Sequence, residues 1–254
     1  MPEIEKKFGR TLIVVAHPDD EVIGCGLLLQ RLKHATIAFM TDGAPADRYF
    51  WGKFGTQSAY AAMRTNETRK ALEHFKGVQV LRFGARDQQL MFRLDIAMQW
   101  LRKVIREQKP ESIITHFYEG GHPDHDCCSF LCSIVAREQG VPVWEMPLYS
   151  RIDGKLVRQY LPRRERAVSL AASQQEERRK TEMVSAYASQ EEFLQSFEVT
   201  TEHFVPQPPH DYSLPPHEGK LNYEWWEWEV AGSDLCAVFQ RVMNNKGSYQ
   251  AKSA

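Results

Sequence analysis

The chain has 254 residues, of which 43% are hydrophobic, enough to build one large or two small domains. Its 32 basic and 33 acidic side chains leave a formal net charge of −1, which gives no general attraction to nucleic acid or to an anionic membrane surface. The first ten residues are charged, and no apolar run approaches the ~18 residues that a membrane helix needs. We therefore expect a cytoplasmic protein with no nucleic-acid partner and no membrane span.

A short buried strand is predicted at residues 12–16, and a helix begins directly after it. The strand is apolar and rich in β-branched residues. Pro18 ends it, because proline has no backbone N–H and suits the first turn of a helix. Four ionisable side chains crowd this junction: His17, Asp19, Asp20 and Glu21. The acids could simply stabilise the helix N-terminus, by up to ~1 kcal/mol each. Alternatively, His17 and Asp20 could bind a divalent metal such as zinc.

The next strand, at residues 36–40, leads into a long polar loop at residues 44–55. This loop carries four aromatic residues: Tyr49, Phe50, Trp51 and Phe54. They could form one wall of a substrate pocket or pack against the domain, and the sequence favours neither. Helical spacing of apolar residues follows at 57–75, where Arg64 and Glu67 lie one turn apart. A third strand at 78–83 is followed by Asp87, and a helix is predicted at 92–108.

A second histidine-rich segment repeats the design of the first. Residues 113–117 form a predicted strand, Gly120 and Gly121 give a loop free to adopt unusual backbone angles, and a helix begins at about Pro123. His122 and His125 are three residues apart, so both side chains can point at one spot. A lone histidine here would be a helix cap or a solvated group. Two His-Pro-Asp turns, each at the end of a strand, favour a shared metal site.

Strand and helix alternate at least four times, which predicts an α/β fold with a Rossmann-like, mainly parallel sheet and helices on both faces. In such sheets, ligands bind outside the carboxyl ends of the strands. Apart from Arg64 and Glu67, every residue singled out so far follows a strand end. This placement explains how His17 and His125, more than a hundred residues apart, could share one ion.

The C-terminal part is predicted to add an antiparallel edge hairpin and an extension. Residues 141–149 form a fifth strand, and the turn at Asp153 and Gly154 leads into residues 155–161. A charged helix at 176–187 is expected to keep Lys180 in solvent. We expect residues 1–200 to form the α/β domain and residues 201–254 a proline- and tryptophan-rich extension packed on it as a surface cover. The roles of His210, His217 and the segment 225–228 stay open, since its tryptophans could stack on a sugar or pack in the interior.

Five cysteines, odd in number and without Cys-x-x-Cys spacing, predict neither a disulfide framework nor a structural zinc site. They are Cys25, Cys127, Cys128, Cys132 and Cys236. We expect them to be small buried residues and not metal ligands.

The two histidine motifs resemble the LmbE-like or PIG-L-type N-acetylglucosaminyl deacetylase family. The matching residues are Ala16-His17-Pro18-Asp19-Asp20-Glu21 and Gly121-His122-Pro123-Asp124-His125. Weaker matches are Thr41-Asp42-Gly43, Arg64 with Glu67, and Lys180 through Tyr187-Ala188-Ser189-Gln190. The resemblance covers about residues 11–190.

This resemblance implies a role for each matched position. His17, Asp20 and His125 would bind Zn²⁺, with another divalent transition metal as the alternative. Asp19 would be the general base, His122 would assist at the carbonyl oxygen or the leaving group, and Arg64 would contact the substrate. We add two expectations from the residues themselves. Asp87, at a strand end, is a second candidate for substrate binding, and Asp124 would hold a ligand histidine in the correct tautomer.

The expected activity is zinc-dependent hydrolysis of the acetamide of an N-acetylglucosamine-type amino sugar or its conjugate. One alternative is a metal-dependent amidase acting on a non-sugar amide. Another is a non-catalytic binding module, which would need neither a base at Asp19 nor an acid at His122. The expected partner is a small-molecule amino sugar. The sequence is compatible with a homo-oligomer and leaves the exact substrate, the acyl group and the oligomeric state open.

Overall fold

The computed structural model describes residues 2–161 and 166–250, with side chains over residues 3–161 and 166–244. The strands of the described residues are β1 (Thr11–Val15), β2 (Ala35–Thr41), β3 (Val78–Ala85), β4 (Ser112–His116), β5 (Val143–Met146), β6 (Tyr149–Ile152), β7 (Lys155–Arg158), β8 (Val168–Ala171) and β9 (Thr201–Pro206). The helices are α1 (Pro2–Phe8), α2 (Asp20–Arg31), α3 (Arg48–Trp51), α4 (Gln57–Ala71), α5 (Leu94–Gln108), α6 (Pro123–Gln139), α7 (Gln174–Ser185), α8 (Glu191–Leu194), α9 (Asn222–Trp225) and α10 (Gly232–Gln250).

A seven-stranded sheet runs through the molecule in the order β3-β2-β1-β4-β5-β9-β8. The pairs β2–β3, β1–β2, β1–β4 and β4–β5 are parallel, which confirms the predicted Rossmann-like core. From β1 the chain winds first to one side of the sheet and then, from β4, to the other. The strand order therefore reverses between β1 and β4, and the crevice at their carboxyl ends is where this class of sheet binds ligands.

Both faces of the sheet are covered, because alternate residues of β1 enter two separate hydrophobic clusters. Leu12 and Val14 pack with residues of α5, α6 and α10. Ile13 and Val15 pack with residues of α2 and α7 on the other face. A strand buried on both sides reads as a continuous apolar run, which is the pattern that predicted it.

The predicted hairpin is present, but it forms a separate two-stranded sheet of β6 and β7. The antiparallel edge of the main sheet comes instead from β9, which pairs with β5, and from β8, which pairs with β9. The sheet thus continues past residue 200. Helix α10 packs on α6, where the rings of Phe239 and Phe130 stack with centroids 4.2 Å apart.

The expectation that Lys180 is solvated is wrong. The side chain is fully buried, its Nζ donates to the carbonyl of Ile23 at 2.8 Å, and it pairs with Glu202 Oε1 at 2.7 Å. The partner lies on β9, twenty-two residues later, so the local pattern of the helix could not reveal it.

The five cysteines are free and buried, as predicted. Within the described ranges, none of the helices combines the length and the hydropathy that a membrane crossing requires.

Candidate active-site cleft

The first histidine motif lies at a tight turn between β1 and α2. The carbonyl of His17 accepts the N–H of Asp20, and Asp19 between them has a φ of 119°. An L residue seldom adopts this angle, and holding it costs about 1–3 kcal/mol. Such a conformation persists only where its surroundings impose it.

Contacts from Glu21, Tyr187 and Arg64 hold this strained turn. The Asp19 N–H donates to Glu21 Oε2 at 2.9 Å, and the Tyr187 hydroxyl donates to the other oxygen of Glu21. Arg64 of α4 donates through Nη2 to the carbonyl of Pro18 and to Asp19 Oδ2, the latter at 2.9 Å. Asp19 and Arg64 are both buried, so this is an ion pair shielded from water.

The predicted ligand set comes together at the carboxyl ends of β1 and β4. His125 Nε2 lies 3.3 Å from His17 Nδ1 and 3.4 Å from Asp20 Oδ1. His17 Nδ1 lies 3.4 Å from Asp20 Oδ2. One ligand atom from each of these three buried residues lies within 4.8 Å of the others, close enough to share one metal ion.

A second cluster shares His17 and adds Asp87, His122 and Asp124. Asp87 Oδ1 lies 3.1 Å from His17 Nε2 and 3.3 Å from His122 Nε2. The two carboxylate oxygens of Asp124 already accept the backbone N–H groups of Gln88 and Leu90, at 2.6 and 3.1 Å. Asp124 also approaches His17 Nε2 at 3.4 Å. It therefore connects His17 to the loop that follows Asp87.

Burial and charged neighbours shift the pKa values of His17, His125 and Asp20. Burial opposes a charge on His17, yet the carboxylates of Asp87, Asp124 and Asp20 raise its pKa well above the usual value. Burial together with the neighbouring His116 lowers the pKa of His125, which keeps that imidazole neutral. Burial would raise the pKa of Asp20, but His125 and His116 lower it well below the usual range.

His116, the last residue of β4, belongs to this cluster although the sequence analysis did not single it out. Its ring stacks on that of His125 with centroids 3.8 Å apart, and its Nε2 lies 3.3 Å from Asp20 Oδ2. The same nitrogen accepts the N–H of Ala16 at 2.9 Å, which connects the ends of β1 and β4. The sequence did contain a clue to this residue, because His116 is the last residue of an apolar strand and lies six residues before His122.

The site opens into a cleft of about 620 Å³. Arg64 and Asp87, the two predicted substrate contacts, both line it. Of the four aromatic residues in the loop at 44–55, two line the cleft and two pack against the domain. Tyr49 and Phe50 line the cleft, whereas Trp51 donates to the Pro45 carbonyl and Phe54 stacks on Tyr60.

The C-terminal segment contributes Trp226 and Trp228 to the lining of the cleft. His210 instead lies against the buried Glu145, with Nε2 2.8 Å from Oε1. His217 Nδ1 lies 2.8 Å from the carbonyl of Glu218. The structure therefore brings the tryptophans to the site and leaves the two histidines of the proline-rich segment elsewhere.

A family model described as PIG-L, GlcNAc-PI de-N-acetylase, matches residues 12–136. No curated protein matches the chain. Among solved structures, the A40926 pseudoaglycone deacetylase Dbv21 is 20% identical with a TM-score of 0.60, over 78% of this chain and 96% of that one. The N,N'-diacetylchitobiose deacetylase from Pyrococcus horikoshii is 18% identical with a TM-score of 0.58, over 81% and 86% of the two chains.

A third solved structure, the 4-carboxy-2-hydroxymuconate hydratase GalB from Pseudomonas putida KT2440, is 16% identical with a TM-score of 0.55, over 80% of this chain and 99% of that one. Likeness at these identities concerns the fold, and one fold carries deacetylases and a hydratase alike. The assignment to a family therefore rests on the sequence match, which includes both histidine motifs. The model of the PIG-L (LmbE-like) family matches residues 12–136 of this chain.

Proposed function

We propose that the protein is a metal-dependent de-N-acetylase that hydrolyses the acetamide of an N-acetylglucosamine-type amino sugar or of its conjugate. The observation that carries the proposal is the convergence of His17, Asp20 and His125 beside Asp19 and His122 at one end of one cleft. The family match supports the reaction class. Amide hydrolysis needs an activated water, a base and a donor to the carbonyl oxygen or the amine, and this set of side chains can supply all three.

The residues fit a zinc ion. Two imidazole nitrogens and one carboxylate are typical of catalytic zinc sites, which keep a further position open. The ring nitrogens that meet, His17 Nδ1 and His125 Nε2, lie 3.3 Å apart, and each lies 3.4 Å from an oxygen of Asp20. A ligand histidine must be neutral. The lowered pKa of His125 meets that requirement, whereas His17, whose pKa is raised, would have to release its proton when the ion binds. When bound, the ion would polarise the acetyl carbonyl and lower the pKa of the attacking water.

We assign the first proton transfer to Asp19. Its carboxylate would take a proton from the water as the water attacks the acetyl carbon, and would then pass that proton to the departing amine. Burial raises the pKa of Asp19 to about 8, against the opposing attraction of Arg64. A raised pKa suits a base that works near neutral pH. Arg64 holds one carboxylate oxygen and so orients the group.

We assign the hydrogen-bond donor to Nε2 of His122. Its Nδ1 accepts the backbone N–H of Asp124 at 3.1 Å, so the neutral ring carries its proton on Nε2. Through that N–H the ring would donate a hydrogen bond to the developing oxyanion or to the leaving nitrogen, without giving up the proton. Asp87 Oδ1 lies 3.3 Å from this Nε2. Asp124 would fix the neighbouring ring of His17 through its Oδ2, 3.4 Å from His17 Nε2.

The test is a joint measurement of metal content and acetate release. The purified protein should contain about one zinc per chain, and acetate should be released from a panel of free and conjugated N-acetylglucosamines. Zinc without acetate from any sugar would replace the proposal with the second candidate, an amidase for a non-sugar amide. The eight aromatic rings lining the cleft are compatible with that candidate. A purified protein that contains no divalent metal would overturn both the deacetylase and the amidase proposals.

A further inference from the structure

The two tryptophans in the cleft are held by a backbone turn that follows α9. The N–H of Trp228 donates to the carbonyl of Tyr223 at 3.1 Å, and the N–H of Glu227 donates to that of Glu224 at 3.3 Å. These two bonds define a Schellman turn, whose left-handed residue is usually glycine. Here Glu227 occupies that position with a φ of 56°, which costs about 1 kcal/mol. The turn brings Trp226 and Trp228, two residues apart, to the same cleft.

The same segment is attached to the loop that carries His122. The N–H of Asn222 donates to the carbonyl of Gly120 at 2.9 Å, and its Nδ2 donates to that of Gly121 at 3.0 Å. Asn222 is fully buried. The position of the tryptophans is therefore tied through two hydrogen bonds to the residues directly before His122.

A continuous row of rings connects the two histidines of the second motif along this wall. The Trp228 ring meets the His122 ring edge-on at 4.8 Å, and Trp226 lies 5.1 Å from Trp228. Tyr149 lies 6.0 Å from Trp226 and 5.2 Å from His125. Phe193 and Phe197 pack beside Tyr149, and Tyr49 and Phe50 line the cleft as well.

The charged side chains that line the cleft argue against an anionic group attached to the amino sugar. Arg64 is the only lysine or arginine among the described residues that line the cleft, and its guanidinium is already paired with Asp19. Asp47, Asp87 and Glu227 add negative charge along the walls. A phosphate on the substrate would meet carboxylates and no free cationic side chain.

From these observations we propose that Trp226 and Trp228 are specificity-determining residues that bind an uncharged aromatic group carried by the amino sugar. The inference rests on the proposed function and names its substrate class, an aromatic glycoside of N-acetylglucosamine. The ring row and the size of the cleft support it, since about 620 Å³ is the volume of a site for a ligand larger than one sugar. Offset and edge-on contacts with indole rings favour a planar aromatic partner.

The test compares two product-like amines on the zinc-loaded protein, so that no turnover occurs. We would titrate 4-nitrophenyl and methyl 2-amino-2-deoxy-β-glucoside by calorimetry into the wild type, Trp226→Ala, Trp228→Ala and Trp225→Ala. Trp225 is the matched control, because it is 46% exposed and lies over Arg151 outside the cleft. Acetate release from the corresponding N-acetyl glycosides and from N-acetylglucosamine 1-phosphate would be measured in parallel.

We expect the wild type to bind the nitrophenyl compound at least tenfold more tightly than the methyl compound, the range of one or two aromatic contacts. Trp226→Ala and Trp228→Ala should lose most of that preference, and Trp225→Ala should keep it within twofold. Equal binding of the two amines by the wild type would overturn the proposal even if the variants failed to fold. So would faster acetate release from the 1-phosphate than from the nitrophenyl glycoside.

The two proposals fail in different ways. Tryptophan-dependent binding of the nitrophenyl amine without acetate from any N-acetyl sugar would support the aromatic subsite and overturn the deacetylase function. Acetate released with equal efficiency from nitrophenyl and methyl glycosides, unchanged by Trp228→Ala, would support the deacetylase function and overturn the aromatic subsite.

Discussion

Nη2 of Arg64 lies 2.9 Å from Oδ2 of Asp19, and both side chains are buried. The same guanidinium donates to the carbonyl of Pro18, so one arginine holds both the carboxylate of the proposed base and the strained turn that carries it. Removing one member of a buried ion pair leaves an uncompensated charge, which typically costs about 3–5 kcal/mol.

Arg64→Ala should therefore lower both stability and kcat. We expect a loss of about 3 kcal/mol or more in unfolding free energy, together with a lower kcat because the carboxylate is no longer oriented. Arg69→Ala, on an exposed position of the same helix, is the control and should change neither. In a double-mutant cycle with Asp19→Asn, the two losses should be strongly non-additive; additive effects would contradict a direct role of the pair.

Asp19→Asn tests the assignment of the base. The amide keeps the size of the side chain but cannot accept the proton of the water, so kcat should fall by about 10²–10⁴. Zinc content measured by mass spectrometry should stay unchanged, because Asp19 is not in either cluster of metal-binding atoms. Near-normal turnover by the zinc-loaded variant would assign the base elsewhere.

The two candidate clusters predict different metal losses. If the ion is held by His17, Asp20 and His125, then His17→Ala and Asp20→Asn should purify without zinc, and Asp87→Asn should retain it. If Asp87 is a ligand in place of Asp20, Asp87→Asn should purify without zinc and Asp20→Asn should retain it. Removal of the ion with a chelator should abolish acetate release in the wild type, and added Zn²⁺ should restore it.

Glu119 makes stability depend on pH. Burial raises the pKa of this carboxyl well above its usual 4.5, although it accepts the N–H groups of Leu148 and Tyr149. A carboxyl with a higher pKa in the folded state favours folding at low pH, and that contribution is lost as the pH rises through the folded-state value.

Glu119→Gln removes this titration and keeps an acceptor oxygen for the two backbone groups. The unfolding free energy of the variant relative to the wild type should therefore increase as the pH rises above about 4.5, by up to ~1.4 kcal/mol per pH unit. Urea unfolding of both metal-free proteins between pH 4 and 8 would measure this. A difference that stays constant over that range would contradict the prediction.

The buried pair of Lys180 and Glu202 should be important for stability. Lys180→Met leaves the carboxylate of Glu202 buried without its cation, for which we expect a loss of about 3–5 kcal/mol in thermal or chemical unfolding. The double variant Lys180→Met/Glu202→Gln should recover part of the loss, because glutamine is uncharged and its one oxygen can still accept the N–H group of Leu27 or of Leu28.

Lys103→Met is the matched control for this pair. Lys103 is 66% exposed and forms a surface pair with Glu107, so its loss should change stability by less than about 1 kcal/mol. A Lys180 variant as stable as this control would show that the buried pair contributes little.

The sequence by itself predicted the main elements of the fold and the region of the site. Alternating apolar strands and amphipathic helices are local patterns, and a parallel sheet follows from their order. Because parallel strands end at the same edge, the pattern also predicted that the turns after β1 and β4 lie together, as they do. Which three of these residues hold the metal is still a prediction, since Asp87 lies as close to His17 as the expected ligands do.

Tertiary structure alone decided the pairings between distant parts of the chain. The partner of Lys180 lies on β9, the ring of His116 stacks on a histidine of the following helix, and Trp228 meets His122 from the C-terminal segment. Local sequence patterns report which face of an element is apolar. They do not report which charge, ring or hydrogen-bond group from elsewhere packs against that face, because that depends on how the layers assemble.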